Sequence, residues 1–173
     1  IIKTIHQEFG TIIVNDISGG NLDDKMIPLC GKLNLPYICM HMQGTPQTMT
    51  QLTSYQNLLH DIKTYFIEKI NYAKQCGIQT FCIDPGFGFA KTTEQNFKIL
   101  SNLEMFSTLN QPILVGFSRK SMIQKTLNCT ANESLNGTTI LNTIALQKNA
   151  TILRVHDVRQ AYECIQLVEQ LPK

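Results

Sequence analysis

The sequence carries almost no net charge and has no long hydrophobic run. Its 173 residues include 15 Lys and Arg and 13 Asp and Glu, which gives a formal net charge of +2. A charge this close to zero gives no reason to expect a nucleic acid or a membrane surface as a partner. No apolar stretch approaches the ~20 residues of a transmembrane helix, so no membrane-spanning segment is expected.

The sequence also lacks an initiating methionine, a signal peptide and any paired-cysteine motif. It begins Ile1-Ile2-Lys3-Thr4, a pattern typical of the back half of a helix, and we therefore expect the chain to begin inside a larger protein. The six cysteines form no CxxC pair and show no metal-ligand spacing. Because most of them lie in apolar segments, we interpret them as buried free thiols of a protein in the reducing cytoplasm.

Five short apolar runs alternate with helical patterns, which indicates an α/β fold in a single domain. Runs rich in Ile, Val and Leu suit strands buried on both faces of a parallel sheet. The spacing does not distinguish an open doubly wound sheet from a barrel, but the absence of a GxGxxG motif after the first strand weakens the dinucleotide-binding version. The predicted strands are 11–14, 36–40, 80–83, 112–115 and 151–155, and the predicted helices are 22–33, 54–76, 93–103, 119–127, 130–148 and a last one capped by Asp157.

Polar residues follow every predicted strand at the point where the next loop begins. The carboxyl ends of parallel strands are where α/β proteins bind ligands. One polar strand end is compatible with a simple cap or turn, but five in succession indicate a site. The five segments are Asn15-Asp16, Met40-His41-Met42-Gln43-Gly44, Asp84-Pro85-Gly86-Phe87-Gly88-Phe89, Ser118-Arg119-Lys120-Ser121 and Arg154-Val155-His156-Asp157.

The residue types at these strand ends suit an electron-rich or anionic ligand. Residues 116–121 join a strand to a helix, so backbone N–H groups and the Arg119-Lys120 pair form a cationic trap. Asp84, at the end of a buried strand, can accept two N–H donors from a planar heterocycle. Arg154 and His156 are two residues apart, and strand alternation would put both on one face as donors to a phosphate.

Each of these residues also has a plainer structural interpretation. Asp84 suits an Asx turn, His156 suits a satisfied core histidine, and Met40 suits ordinary packing. The Arg119-Lys120 pair suits the solvation of a surface helix. The residues alone leave these alternatives open.

Taken together, the five segments resemble the dihydropteroate synthase family of the folate pathway. The resemblance covers essentially the whole chain, and segments 118–121 and 154–158 are its most specific parts. It implies a (β/α)₈ TIM barrel in which the five predicted strands are strands four to eight, so that residues 1–173 form a single pterin-binding domain without its first three βα units. The implied reaction joins 6-hydroxymethyl-7,8-dihydropterin diphosphate to p-aminobenzoate and gives 7,8-dihydropteroate and pyrophosphate.

The resemblance also implies roles for individual residues. Lys120, Arg154 and His156 are implied as catalytic residues. Lys120 would contact the pterin and the side from which p-aminobenzoate arrives, and Arg154 and His156 would hold the diphosphate. The other implied substrate-binding residues are Asn15 and Asp84 at the pterin edge, Met40 on its ring, Phe89 and Ser121 in the p-aminobenzoate pocket, and Gly88 and Ser118.

The resemblance further implies Mg²⁺ as a cofactor, a homodimer formed through barrel helices, a cytoplasmic location and inhibition by sulfonamides. No metal ligand is expected in this chain, since the implied ligand is an Asn in the missing front of the barrel. For the same reason, a protein of these residues alone is expected to be inactive. Two alternatives stay open, namely a pterin-binding methyltransferase domain of the corrinoid pathway and a truncated barrel retained for binding or structure.

Overall fold

The computed structural model of the protein describes residues 1–45, 47–49 and 52–172. Helices and parallel strands alternate along the chain, which confirms the predicted α/β fold. The strands are β1 (Val14–Asp16), β2 (Tyr37–Met40), β3 (Phe81–Asp84), β4 (Leu114–Val115) and β5 (Ile152–Leu153). The helices are α1 (Ile2–Phe9), α2 (Met26–Lys32), α3 (Leu58–Gln75), α4 (Thr93–Ser101), α5 (Ser121–Leu127), α6 (Leu135–Gln147) and α7 (Val158–Val168), with a 3₁₀ helix over Leu103–Leu109.

The five strands lie side by side in chain order and form an open section of a barrel. β1, β2 and β3 form one parallel sheet, and β4 and β5 form a second. An isolated parallel bridge between Ile83 and Ile113 links the two sheets. Within the described residues, β1 and β5 are each paired on one side only. The sheet therefore has two open edges, as a barrel without its first units would have.

The amphipathic helix α3 follows its sequence pattern most closely. It begins after Asn57, whose side-chain oxygen accepts a hydrogen bond from the His60 N–H at 3.3 Å, and it ends before Gly77. Spacing of three and four residues predicts its buried stripe, which is Leu58, Ile62, Phe66, Ile70 and Ala73. None of the helices in the described residues, α3 included, combines the length and the hydrophobicity needed to cross a lipid bilayer.

Four predicted elements begin three to five residues too early. α2 and α3 begin at Met26 and Leu58 rather than at residues 22 and 54. β1 begins at Val14 rather than at residue 11, because the ladder to β2 starts with the Val14–Tyr37 pair and Ile13 is 66% exposed. α6 begins at Leu135 rather than at residue 130, because a turn over 131–134 precedes it. For β1, the apolar pattern starts before the strand ladder does.

The last helix, α7, buries a narrower face than its sequence predicts. It packs on α6 through Ala161 and Cys164, which are 5% and 4% exposed. Helical spacing also predicts burial of Val158 and Tyr162, but they are 70% and 59% exposed. The prediction was wrong because α7 lies beside the open edge at β5, where the described residues provide no further layer to cover it.

Candidate active site

The parallel register places three predicted substrate residues on one face of the first sheet. Asn15 pairs with Ile38, and Met40 pairs with Asp84. Because side chains alternate along a strand and paired residues of parallel strands point the same way, Asn15, Met40 and Asp84 share the face opposite the helices. Met40 and Asp84 are fully buried, whereas Asn15 is exposed and lies two residues further from the carboxyl end of the sheet.

Asp16 points to the other face and serves the fold rather than the site. Its carboxylate accepts hydrogen bonds from the Ser18 N–H and O–H at 2.8 and 2.7 Å, the Gly20 N–H at 2.8 Å and the Tyr37 hydroxyl at 2.6 Å. Burial raises the pKa of Asp16, but these hydrogen bonds outweigh burial and hold that pKa below its ordinary value. The carboxylate is saturated by the protein, and it fixes the loop that follows β1.

Asp84 and Arg154 form an ion pair across the boundary between the two sheets. The Arg154 Nη2 lies 2.9 Å from the Asp84 Oδ2, and the Asp84 side chain is fully buried. The other oxygen of Asp84 accepts the Gly86 N–H at 2.8 Å, so the predicted Asx turn is present as well. The Arg154 contact with Asp84 Oδ2 is not aligned as a hydrogen bond, and within the described residues neither this oxygen nor the buried Arg154 Nη1 has another partner. Such atoms are costly unless a polar ligand contacts them.

The cations around Asp84 oppose the effect of its burial. Burial raises the pKa of Asp84, whereas the Arg154 guanidinium, the Gly86 N–H and the ammonium groups of Lys120 and Lys91 act to lower it. A carboxylate that accepts one N–H and pairs with a guanidinium is stabilised in its ionised form. Within the described residues, Asp84 is therefore a negative group among three cations, namely Arg154, Lys120 and Lys91.

Lys120 and Arg119 point in opposite directions, so only Lys120 belongs to the cationic trap that the sequence predicts for the pair. The Lys120 ammonium donates to the Phe87 carbonyl and lies 4.8 Å from the centre of the Phe89 ring, and burial lowers the pKa of Lys120 to about 8. The Arg119 guanidinium instead donates to both oxygens of Asp157, at 3.1 and 2.8 Å. Asp157 stands at the N-cap position of α7, but its side chain makes no capping hydrogen bond.

Because Gly88 has no side chain, it leaves room for the Lys120 side chain. Its φ is +80°, and a Cβ on it would lie 3.2 Å from the Lys120 Cδ. Gly77 has a similar φ of +89°, but a Cβ there would meet nothing closer than 3.9 Å. Gly88→Ala and Gly77→Ala should both lose about 1–2 kcal/mol of stability from the positive φ, measured by urea unfolding. Only Gly88→Ala should shift the Lys120 side-chain resonances in NMR spectra, and equal shifts in both variants would contradict this packing.

His156 is oriented by Ser118. The His156 Nδ1 lies 2.8 Å from the Ser118 Oγ, and the backbone N–H of His156 donates to the same oxygen at 3.2 Å. Strand alternation was the wrong reason for placing Arg154 and His156 together, because β5 ends at Leu153. Both nevertheless line one cavity of about 170 Å³, together with Gly116, Ser118 and Lys120.

A second, larger cavity lies next to the first. It has a volume of about 460 Å³, and Gly88 and Ser121 are among the residues that line it. Ser121 is the first residue of α5 and is exposed, whereas Phe89 is half-buried in a cluster with Met40. The predicted site residues Gly88, Ser118, Lys120, Ser121, Arg154 and His156 therefore line these two cavities, whereas Asn15, Met40, Asp84 and Phe89 line neither.

Sequence reasoning missed Lys91, which is only 9% exposed and reaches His41. Its ammonium lies 3.1 Å from the His41 Nδ1, although the two residues are 50 positions apart. A signal was available, because Lys91 directly precedes Thr92, the N-cap residue of α4. A cation next to a helix N-terminus is electrostatically unfavourable, which points to another reason for the lysine.

Comparison with known proteins gives consistent matches over nearly the whole chain. Residues 2–156 match the family described as pterin binding enzyme. The dihydropteroate synthase of Escherichia coli strain K12 is 39% identical over 162 residues, which are 92% of this chain and 57% of the relative. Structures of the Thermus thermophilus dihydropteroate synthase in complex with 6HMPPP and with 4-aminobenzoate are each 30% identical, with TM-scores of 0.90 and 0.91. They cover 95% and 96% of this chain and 66% and 65% of the respective structures. The chain thus spans little more than half the length of the curated relative.

Proposed function

Since the chain belongs to the pterin binding enzyme family, we propose that it forms part of a dihydropteroate synthase. Its reaction would join 6-hydroxymethyl-7,8-dihydropterin diphosphate to p-aminobenzoate in folate biosynthesis. Residues 1–173 would be a single pterin-binding domain that corresponds to strands four to eight of the barrel. The proposal rests on the meeting of a buried carboxylate and several cations at the ends of β3, β4 and β5. A methyltransferase is not favoured, since the matched relatives are synthases.

Asp84 and Asn15 would recognise the polar edge of the pterin. The Asp84 Oδ2 is paired with Arg154 but accepts no aligned hydrogen bond in the described residues, and a heterocycle N–H could supply one, which supports this role. Met40 is fully buried and pairs with Asp84 in the sheet, so its thioether is well placed to pack on a flat ring. These three residues would hold the part of the substrate that stays in the product.

Arg154, His156 and Lys120 would act on the bond that breaks. The bond between the exocyclic methylene carbon and the diphosphate oxygen breaks, and pyrophosphate leaves with the bonding electrons. The amine nitrogen of p-aminobenzoate forms the new bond to that carbon and loses a proton. Because the pterin ring can push electrons toward the methylene, the protein need not supply a nucleophile. Its contribution is positioning and the stabilisation of developing negative charge by these three side chains.

We assign p-aminobenzoate to the cavity of about 460 Å³ between Gly88 and Ser121. The Lys120 ammonium lies near the Phe89 ring, and the exposed Ser121 follows Lys120 in the chain. This ammonium would mark the boundary with the pterin. Sulfonamides carry a similar ring and amine, so the same cavity would receive them. Ser118, which the resemblance gave as a substrate contact, would act here by orienting His156.

Mg²⁺, a homodimer and a cytoplasmic location stay predictions. In the described residues no three His, Cys, Asp or Glu side chains are grouped as metal ligands, so these residues alone do not fit a magnesium site, and no step above depends on one. The dimer is supported by an apolar hollow of about 130 Å³ whose lining includes Phe97, Ile123 and Ile140. The reducing cytoplasm is supported by the six free cysteines.

A binding experiment with two ligands tests the proposed function. Hydroxymethylpterin diphosphate, followed by pterin fluorescence, should bind at least ~10-fold more tightly than a methylated tetrahydrofolate, which has no diphosphate for Arg154 and His156. Lys120→Met should weaken binding of the diphosphate, whereas Arg119→Met is the matched control and should not, since Arg119 is paired with Asp157. Tighter binding of the folate would indicate a methyltransferase, and binding of neither ligand would contradict a pterin site.

A further inference from the structure

Lys91 is a buried cation whose ammonium contacts no carboxylate in the described part of the chain. It contacts the carbonyl oxygens of Phe89 at 2.9 Å, Gly86 at 3.1 Å and His41 at 3.3 Å, and the His41 Nδ1 at 3.1 Å. An ammonium group is expensive to bury unless hydrogen bonds replace its hydration. Four acceptors around one Nζ meet that requirement, so the position is built for a lysine.

The four contacts join two different loops. His41 directly follows β2, whereas Gly86 and Phe89 belong to the loop after β3. Burial lowers the pKa of His41 to about 2, with a further lowering by the Lys91 charge, so its imidazole is neutral and its Nδ1 is available as an acceptor. The His41 ring packs edge-on against Tyr65, with 4.9 Å between ring centres. Lys91 therefore ties the β3 loop to a rigid part of the core.

Phe89 is held from two sides. Lys91 binds its backbone carbonyl, and the Lys120 ammonium lies 4.8 Å from its ring centre. Burial lowers the pKa of Lys91 to about 7, with the nearby Asp84 carboxylate acting to raise it and the Lys120 charge acting to lower it. The two lysines therefore approach one aromatic residue from its backbone and from its ring, with Asp84 as the nearby anion.

We infer that Lys91 is a positioning residue that fixes Phe89, whose neighbours Gly88 and Ala90 line the p-aminobenzoate cavity, before the ligand arrives. The inference rests on the proposed function, because it gives Phe89 an aromatic ligand to pack on. An aromatic wall that is already ordered costs less entropy on binding than one that must be ordered by the ligand. Lys91 also lines this cavity, but its ammonium is turned to its four backbone and imidazole acceptors, so it would act on p-aminobenzoate through Phe89.

The test compares Lys91→Met with a matched control in the same loop. Met has a similar length but donates no hydrogen bond, so the Phe89 carbonyl loses its partner. In the control, Tyr55→Phe, the lost hydrogen bond is the one from the Tyr55 hydroxyl to the Ala90 carbonyl at 2.9 Å, next to Phe89. Lys91→Met removes the four ammonium contacts and Tyr55→Phe removes one part-buried hydrogen bond to the same loop, but only the first frees Phe89. Lys91→Gln, which keeps two donors without the charge, is the substitute should Lys91→Met not fold.

The first readout needs no ligand. In NMR spectra of the chain labelled at Phe and combined with the amino-terminal barrel segment of a synthase relative, which would cover the open edges at β1 and β5, the Phe89 ring should give one sharp set of signals in the wild type and in Tyr55→Phe. In Lys91→Met the signals should be broadened or doubled. An unchanged Phe89 ring in the folded Lys91 variant would overturn the inference whether or not the proposed function holds.

The second readout is the affinity of two ligands. Lys91→Met should weaken binding of 4-aminobenzoate about tenfold and change binding of hydroxymethylpterin diphosphate by less than about threefold, since Asp84 and Arg154 keep their contacts. Tyr55→Phe should change neither affinity by more than about threefold. Equal losses for both ligands would show a purely structural role and would overturn the inference. Failure of the wild type to bind either ligand would instead overturn the proposed function.

Discussion

Asp84→Ala should lower the affinity for hydroxymethylpterin diphosphate by about 1–3 kcal/mol or more, because buried donors on the ligand lose their partner. The side chain is fully buried beside Met40, and its Oδ2 has no hydrogen bond in the described part of the protein. The variant also leaves the Arg154 guanidinium without its carboxylate at 2.9 Å. Titration by pterin fluorescence measures the loss.

Asp16→Asn is the matched control for this prediction. Asp16 is a buried aspartate of the same sheet, but its carboxylate faces the helices and binds Ser18, Gly20 and Tyr37. Its replacement should lower stability in urea unfolding and leave the pterin affinity of the folded protein unchanged. Near-wild-type pterin affinity of Asp84→Ala would remove Asp84 from the pterin site.

The second large effect concerns the 173-residue chain alone, which should show no synthase turnover. β1 and β5 are open edges in the described residues, and apolar side chains are exposed beside them. Phe9 and Ile13 are 69% and 66% exposed near β1, and Ile152 is 40% exposed on β5. Exposed apolar surface costs ~25 cal/mol per Å², so the chain should also be poorly soluble or associate with a second chain.

A coupled pyrophosphate-release assay tests this prediction. The chain is assayed alone and with the amino-terminal barrel segment of a synthase relative added as a separate polypeptide. Turnover should appear only in the second case, and light scattering should report less association there. Full turnover by the chain alone would show that the assignment to strands four to eight is wrong.

Local patterns were enough to predict the order of the elements and the polar strand ends. The stripe of α3 follows from helical spacing, and the opposite directions of Arg119 and Lys120 follow from their adjacency in a turn. Both features depend on residues that are close in sequence, where geometry leaves few choices.

Contacts between distant residues were not predictable in the same way. Lys91 contacts His41, which is 50 positions away in the sequence. The Asp157 side chain contacts Arg119, which is 38 positions away, instead of capping α7. The exposure of Val158 and Tyr162 depends on which element lies beside α7, and a helical pattern does not carry that information. The sequence indicates which residues are charged or apolar, whereas the fold decides which partners they meet.

The Asp84–Arg154 ion pair has a consequence for how the proposed site keeps its shape. Cations gathered to receive a diphosphate repel one another in a poorly solvated cavity whenever no anion is bound. Asp84 lies 2.9 Å from Arg154, and its charge also acts on Lys120 and Lys91. It is thus a built-in counterion. Asp84 is proposed to recognise the pterin, and it would also neutralise the cations after the diphosphate has left. The cationic side chains would therefore keep their positions between turnovers.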